Sequence, residues 1–186
     1  MHDQGVTMMN DDICVGKSQL EEVILDSNQI NGISEEAFRS CINMKHLKLT
    51  RNQIYRLENG IFRTMSSLQS IDLSENQLTQ IPDNAFEGLS GVERVDLRDN
   101  YISSISERAF LGLNEMRFLY LERNRLSTID VSWILKIGSM STQHLDVVFL
   151  NQNDIQCDCK MKALGDELNR NLAPGESKSL RFLAKN

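Results

Sequence analysis

The chain has 186 residues, with 20 Lys and Arg against 26 Asp and Glu and a net charge of −6. That length holds one domain with a sizeable core. The basic residues are interspersed with acidic ones, so no stripe marks a nucleic-acid or membrane surface. No apolar run approaches the roughly 18 residues of a membrane span. The start, Met1-His2-Asp3-Gln4-Gly5, lacks the basic and apolar regions of a secretory signal, and no Asn-x-Ser/Thr sequon occurs.

From Leu20 onward the chain repeats. Segments beginning at Leu20, Met44, Leu68, Val92, Met116 and Leu145 each read apolar-x-x-apolar-x-apolar-x-x-Asn. The asparagines fall every 24 residues at Asn28, Asn52, Asn76, Asn100 and Asn124, then after 29 at Asn153. Around Val23/Leu25, Leu47/Leu49 and their equivalents, apolar and polar residues alternate, which predicts a half-buried strand. An apolar pair follows each of the first five asparagines (Ile30/Ile33 in the first repeat), and phenylalanines recur at Phe38, Phe62, Phe86 and Phe110. One such unit cannot bury its apolar face alone, whereas stacked units share a continuous core. The asparagine amides then lie one above another and satisfy backbone groups where the chain leaves the sheet. The phenylalanines form a core spine.

This layout is the leucine-rich repeat signature. Over roughly residues 4–160 the chain resembles the typical 24-residue class of that family, common in extracellular receptors. The resemblance implies an α/β fold: a right-handed solenoid, or horseshoe, with a parallel concave β-sheet and an irregular or 3-10 convex side. Residues 1–19 are expected to be a partial, uncapped N-terminal repeat, 20–153 six repeats, and 154–186 a cap-like segment and tail. Shifting by 24 places Val6, Met9, Ile13 and Cys14 on Ile30, Ile33, Ala37 and Phe38, so the chain is expected to open in mid-array, as a piece of a longer protein. The alternative is an intracellular repeat protein whose end a partner covers.

The cysteines divide into two groups. Cys41 shares a core column with Met65, Leu89 and Leu113, and Cys14 falls in the phenylalanine column. Both are expected to be buried free thiols acting as small hydrophobes, with a remnant of an N-terminal disulfide cap as the alternative for Cys14. Cys157-Asp158-Cys159 is similar to the opening of the cysteine-rich C-terminal cap of extracellular leucine-rich repeat proteins, followed by a short helix over 160–170. That resemblance implies a later cysteine partner for each. None follows Cys159, and Cys14 and Cys41 lie several repeats away, beyond bridging reach. The two thiols are therefore free or paired with another chain. Their spacing does not match a structural zinc site, and no metal or cofactor is expected.

On the predicted sheet the concave positions carry mixed charge in repeats two to four, including Asp72, Asp96, Arg94 and Arg98. The last two repeats present Phe118, Tyr120, Val147 and Phe149, with Arg123 nearby. Aromatics outside the core beside an arginine are what a protein-binding hot spot needs. The alternative is that the insertion within 131–144 or the C-terminal segment folds over them. Arg94 and Arg98 are expected to neutralise Asp72 and Asp96, which otherwise could seat a partner's cation. His46 is expected to be an exposed polar residue with no serine or cysteine partner in register. No nucleophile, phosphate-loop or metal-ligand motif is present, so no catalytic residue is assigned.

The expected function is a protein-recognition module that binds a protein or peptide ligand through the concave face, not nucleic acid or membrane. The resemblance implies an extracellular setting, as in receptor ectodomains, adhesion proteins or secreted immune regulators. One alternative is a structural element that forms a homodimer through its cysteines or its uncapped end. Another is the recognition domain of a longer receptor or enzyme.

Overall fold

The computed structural model describes residues 7–130, 132–134 and 147–155, together with the backbone of 181–183. The strands are β1 (Met8–Met9), β2 (Glu22–Ile24), β3 (Gly32–Ile33), β4 (His46–Lys48), β5 (Ser70–Asp72), β6 (Gln80–Ile81), β7 (Arg94–Asp96), β8 (Ser104–Ile105), β9 (Phe118–Tyr120), β10 (Val147–Phe149) and β11 (Arg181–Leu183). One strand per repeat enters a parallel sheet in the order β2-β4-β5-β7-β9-β10, and β11 extends it beyond β10. The register follows the repeat: Val23, Leu47, Ile71, Val95, Leu119 and Val148 sit on one row. β11 is an addition to the sequence expectation, because residues 181–183 were placed in a tail rather than in the sheet. Cys157, Cys159, the expected helix over 160–170 and most of the insertion lie outside the described residues.

Two smaller parallel pairs, β1-β3 and β6-β8, lie on the far side of the repeats. Met8 and Met9 pair with Gly32 and Ile33, 24 residues on, so residues 7–17 stack as the second half of a repeat. Among the described residues the convex arcs form single turns rather than a 3-10 helix. The amides of Ala37, Cys41 and Met65 donate to the carbonyls of Ser34, Phe38 and Phe62 at 3.0–3.1 Å, 3-10 hydrogen bonds that recur singly and do not run on into a helix.

The asparagine column fixes the turn out of the sheet. Each asparagine follows a residue in the left-handed region: Ser27, Arg51, Glu75, Asp99, Arg123 and Gln152 have φ between 53° and 57°. Such a conformation is costly for residues with a Cβ, and the amide holds it in place. Asn52 donates to the carbonyls of Leu49 at 3.0 Å and Thr50 at 3.3 Å, and to Leu25 of the previous repeat at 2.9 Å. Its Oδ1 accepts from the Ile30 amide at 3.0 Å. The same set recurs at Asn76, Asn100 and Asn124.

Behind the sheet the phenylalanine rings stack. Centroids of Phe38–Phe62, Phe62–Phe86 and Phe86–Phe110 are 6.0, 6.2 and 5.6 Å apart. Trp133 closes the column, tilted at 59° and 5.6 Å from Phe110, so the insertion supplies the next ring.

Cys14 and Cys41 are not free thiols: they form a disulfide with Cα atoms 5.2 Å apart, inside the window that bridging requires. Their separation of 27 is one repeat of 24 plus one turn of three, which brings the side chains face to face across adjacent rungs. The Asp12 carboxylate flanks the bond and accepts from the amides of Cys14 at 3.0 Å and Ser40 at 2.7 Å. Both sulfurs are bonded to each other and Asp12 is committed to amides, so this group offers no metal ligand set. The bridge pins the terminal half-repeat to the stack. In the Cys14→Ser/Cys41→Ser variant the amides of Asn31 and Ser34, which donate to Thr7 and Met9, should lose hydrogen-exchange protection. Those of Ile54 and Leu78 should keep it, because interactions in a solenoid reach only neighbouring repeats.

Candidate recognition surface

Alternation along each strand turns the middle residue into the core and its two neighbours onto the concave face. Across the sheet this lines up Glu22, His46, Ser70, Arg94, Phe118 and Val147 in one row. The second row is Ile24, Lys48, Asp72, Asp96, Tyr120 and Phe149. The structure therefore places Arg94, Asp72, Asp96, Phe118, Tyr120, Val147 and Phe149 in these rows, with specific contacts that spacing did not reveal, while Arg98 and Arg123 follow just past the strands.

At the centre, Asp96 is fully buried. Arg98 grips it with Nε at 2.8 Å from Oδ1 and Nη2 at 2.6 Å from Oδ2, and Arg94 Nη2 adds a bond of 3.2 Å. A buried carboxylate needs this pairing, since an isolated charge there would be prohibitively costly. The hydrogen bond to Asp96 in turn raises the Arg98 pKa further above the ordinary arginine range. Asp72 is held differently, accepting from the Ser74 amide at 2.9 Å and hydroxyl at 2.6 Å. The arginines thus neutralise Asp96, and the serine answers Asp72.

The arginines also organise the aromatics. Arg94 and Arg98 lie over the Tyr120 ring at 4.5 and 5.3 Å from its centroid. Tyr120 stacks on Phe149 at 4.7 Å with planes 3° apart. Guanidinium, phenol and phenyl form one column across β7, β9 and β10, each contact worth about 0.5–1.5 kcal/mol. Tyr120 and Phe149 in this column are half-buried rather than openly exposed, as are Phe118 and Val147 on the same two strands. Arg123, expected near these aromatics, forms a two-pronged ion pair with Asp99 that raises its pKa.

Sequence reasoning passed over two residues here. His46 is half-buried and does have a register partner: its Nδ1 lies 2.8 Å from the Ser70 hydroxyl. The offset of 24 between them was the available signal. Among the described residues no carboxylate pairs with His46, so the contact lacks the third group that would orient a catalytic base. Glu122, two residues beyond Tyr120, has its Oε2 buried without a hydrogen-bond partner among the described residues. Burial pushes the Glu122 carboxyl above the usual glutamate range. A hydrogen bond to its own backbone and the charges of Arg98 and Arg123 oppose that shift, while Asp96 adds to it.

A carboxyl with a raised folded pKa holds its proton more tightly when folded than when unfolded. Its ionisation therefore costs stability, with no cost below the unfolded glutamate pKa and the full cost above the folded value. Glu122→Gln should raise the melting temperature at neutral pH. The gain should shrink as the pH falls through the folded value; a gain independent of pH would exclude this cause.

Away from the sheet, a recess of about 560 Å³ is lined by Glu35, Arg56, Leu57, Glu58, Asn59, Gln80 and Pro82. Its arginine is already paired, with Arg56 Nε 2.6 Å from Glu58 Oε1. Among the described residues no helix is long and apolar enough to cross a membrane.

A family model described as leucine rich repeat matches residues 18–78 and 66–126. The chain belongs to the leucine-rich repeat family. No curated protein matches it significantly. Among solved structures, one similar leucine-rich repeat array is in the octameric complex of latrophilin 3, Unc5D and FLRT2, whose FLRT2 part is the leucine-rich repeat component. The TM-score is 0.78 at 22% identity, covering 96% of this chain and 51% of that one. Another is the TLR13–ssRNA13 complex, with a TM-score of 0.72 at 27% identity over 83% of this chain and 21% of that chain. The chain therefore spans about half the length of the first and a fifth of the second. Membership in the leucine-rich repeat family supports a protein-interaction scaffold in general terms.

Proposed function

We propose that this array is a protein-recognition module that binds a protein or peptide ligand through the C-terminal half of its concave face. The observation that carries this reading is the column of Arg94, Arg98, Tyr120 and Phe149, laid across three strands outside the core. Tyrosine and arginine dominate binding hot spots because each offers broad contact area and directional hydrogen bonds. Here their rotamers are already fixed by mutual stacking, which lowers the entropy cost of engaging a ligand. Phe118 and Val147 extend the apolar surface along the neighbouring first row.

An extracellular setting fits the same reading. The Cys14–Cys41 disulfide is of a kind that persists in oxidising compartments. The octameric complex that contains FLRT2 is a protein assembly.

The test is a selection of displayed random peptides against the immobilised chain, followed by titration of the recovered peptides. Tyr120→Ala/Phe149→Ala should abolish their binding, while Tyr55→Ala, an exposed residue outside the sheet, should leave it unchanged. Binding that survives the double substitution contradicts the concave-face reading.

A further inference from the structure

We infer that the ligand segment is acidic next to an apolar residue, and that its carboxylate docks on Arg94 and Arg98 while its apolar side chain packs on Phe118, Val147 and Phe149. The inference rests on the concave-face reading and specifies the partner's chemistry.

The argument is an inventory of donors and charges. A guanidinium carries five N–H donors and accepts nothing. Among the described residues, the side chains of Arg94 and Arg98 donate only to Asp96, through one and two bonds respectively. Most of their N–H groups are left over, and the side chains keep 46% and 33% of their exposure. Asp96 itself is fully buried, so an incoming ligand meets the two guanidiniums and not the carboxylate beneath them. This reverses the polarity of the alternative sequence reading, in which Asp72 and Asp96 could seat a partner's cation. Asp96 is enclosed by arginines, and Asp72 is engaged by Ser74.

Geometry supports the choice of a carboxylate. Asp96 already fixes both arginines, and Tyr120 supports both from one side, so their planes are set before the ligand arrives. Paired, pre-oriented forks match a planar carboxylate and form short charge-assisted bonds with it. Directly beside them the Phe149 ring and the Val147 and Phe118 side chains are half-buried. An acid alone would leave that surface wet, and an apolar residue alone would leave the guanidiniums without acceptors.

A polyphosphate backbone fits less well. Asp72, Asp96 and Glu122 stand within the same patch, and the chain carries a net charge of −6. A single carboxylate tolerates these neighbours, whereas a nucleic-acid strand adds a charge at every nucleotide.

The recovered display peptides provide the experiment. They should be enriched in Asp or Glu adjacent to Leu, Ile, Phe, Tyr or Trp. Their affinity should fall about tenfold or more in Arg94→Gln, and weaken with added salt. Arg94→Gln retains both Arg98 side-chain bonds to Asp96. A second variant, Asp96→Asn/Arg98→Gln, removes both charges together so that no buried carboxylate is stranded. Melting curves establish that each variant is folded.

Peptides without an acid that are nonetheless lost in Tyr120→Ala/Phe149→Ala overturn this inference and leave the concave reading standing. Peptides insensitive to every concave substitution overturn both. Absence of any enriched sequence, or tight binding of single-stranded oligouridine, overturns the acidic-ligand assignment.

Discussion

Asn76→Ala is expected to destabilise the protein by about 3–4 kcal/mol, measured as a lowered urea midpoint, because it strands a buried amide of the preceding repeat and releases the turn of its own. Asn76 is 4% exposed. Its Oδ1 is the acceptor for the Ile54 amide at 3.0 Å, and removing it leaves that donor with nothing. The carbonyls suffer less, since each is shared. Leu49 O also accepts from Asn52 at 3.0 Å, and Leu73 O also accepts from Asn100 at 3.0 Å. The loss is therefore dominated by one stranded amide and by the released turn at Glu75, whose left-handed backbone the Asn76 amide holds. Asn76→Asp should be no rescue, since it keeps the acceptor but loses the donors and places a carboxyl in the core. Substituting the exposed Gln77 should change the midpoint little.

Phe86→Ala should cost about 3–5 kcal/mol, the range for truncating a buried aromatic whose site cannot collapse. Phe86 is fully buried and stacks on Phe62 and Phe110 with interplanar angles of 5° and 7°. The cavity would open in mid-column, between rungs whose spacing is fixed by the sheet and the asparagine ladder. Relaxation is thus restricted. The expected signature beyond a lower midpoint is a broader transition, because the substitution weakens coupling between the two halves of a nearest-neighbour stack. Phe86→Leu, which fills most of the volume, should cost markedly less. A loss of under about 1 kcal/mol for the alanine variant would mean that the rings are not the spine of the core.

These two columns were legible from spacing because a solenoid turns sequence period directly into spatial stacking. The offset of 24 placed Val23, Leu47 and Ile71 on one row and Phe38, Phe62 and Phe86 on one spine, and it read residues 4–17 as a half-repeat, of which Met8 and Met9 do pair one repeat on. The same ruler held the disulfide, since 27 is one repeat plus one turn. Assigning Cys14 and Cys41 to separate columns hid their contact across adjacent rungs. His46 and Ser70 were likewise one repeat apart, and their contact followed from the register.

What spacing could not deliver was side-chain conformation. The Asp72 and Asp96 positions are equivalent in the repeat, yet one is half-buried beside a serine and the other is fully enclosed. The difference arises because Arg94 and Arg98 fold inward over Asp96 with Tyr120 beneath them, a choice made by rotamers and not by register. Glu122 was invisible for the same reason, as the burial of its Oε2 is a matter of side-chain packing that register does not encode. The addition of β11 beside β10 involves a segment with no repeat pattern to read.

The central claim is that recognition belongs to the concave face. Methyl-resolved NMR of the isotope-labelled chain, titrated with the selected display peptides, tests it most directly. Val147 lies on the concave face, whereas Val15 and Ile42 are exposed at 66% and 53% in turns outside the sheet. The account predicts that the Val147 methyls shift with saturable dependence on peptide while those of Val15 and Ile42 stay in place. Saturable shifts at Val15 or Ile42, with Val147 unmoved, would contradict it.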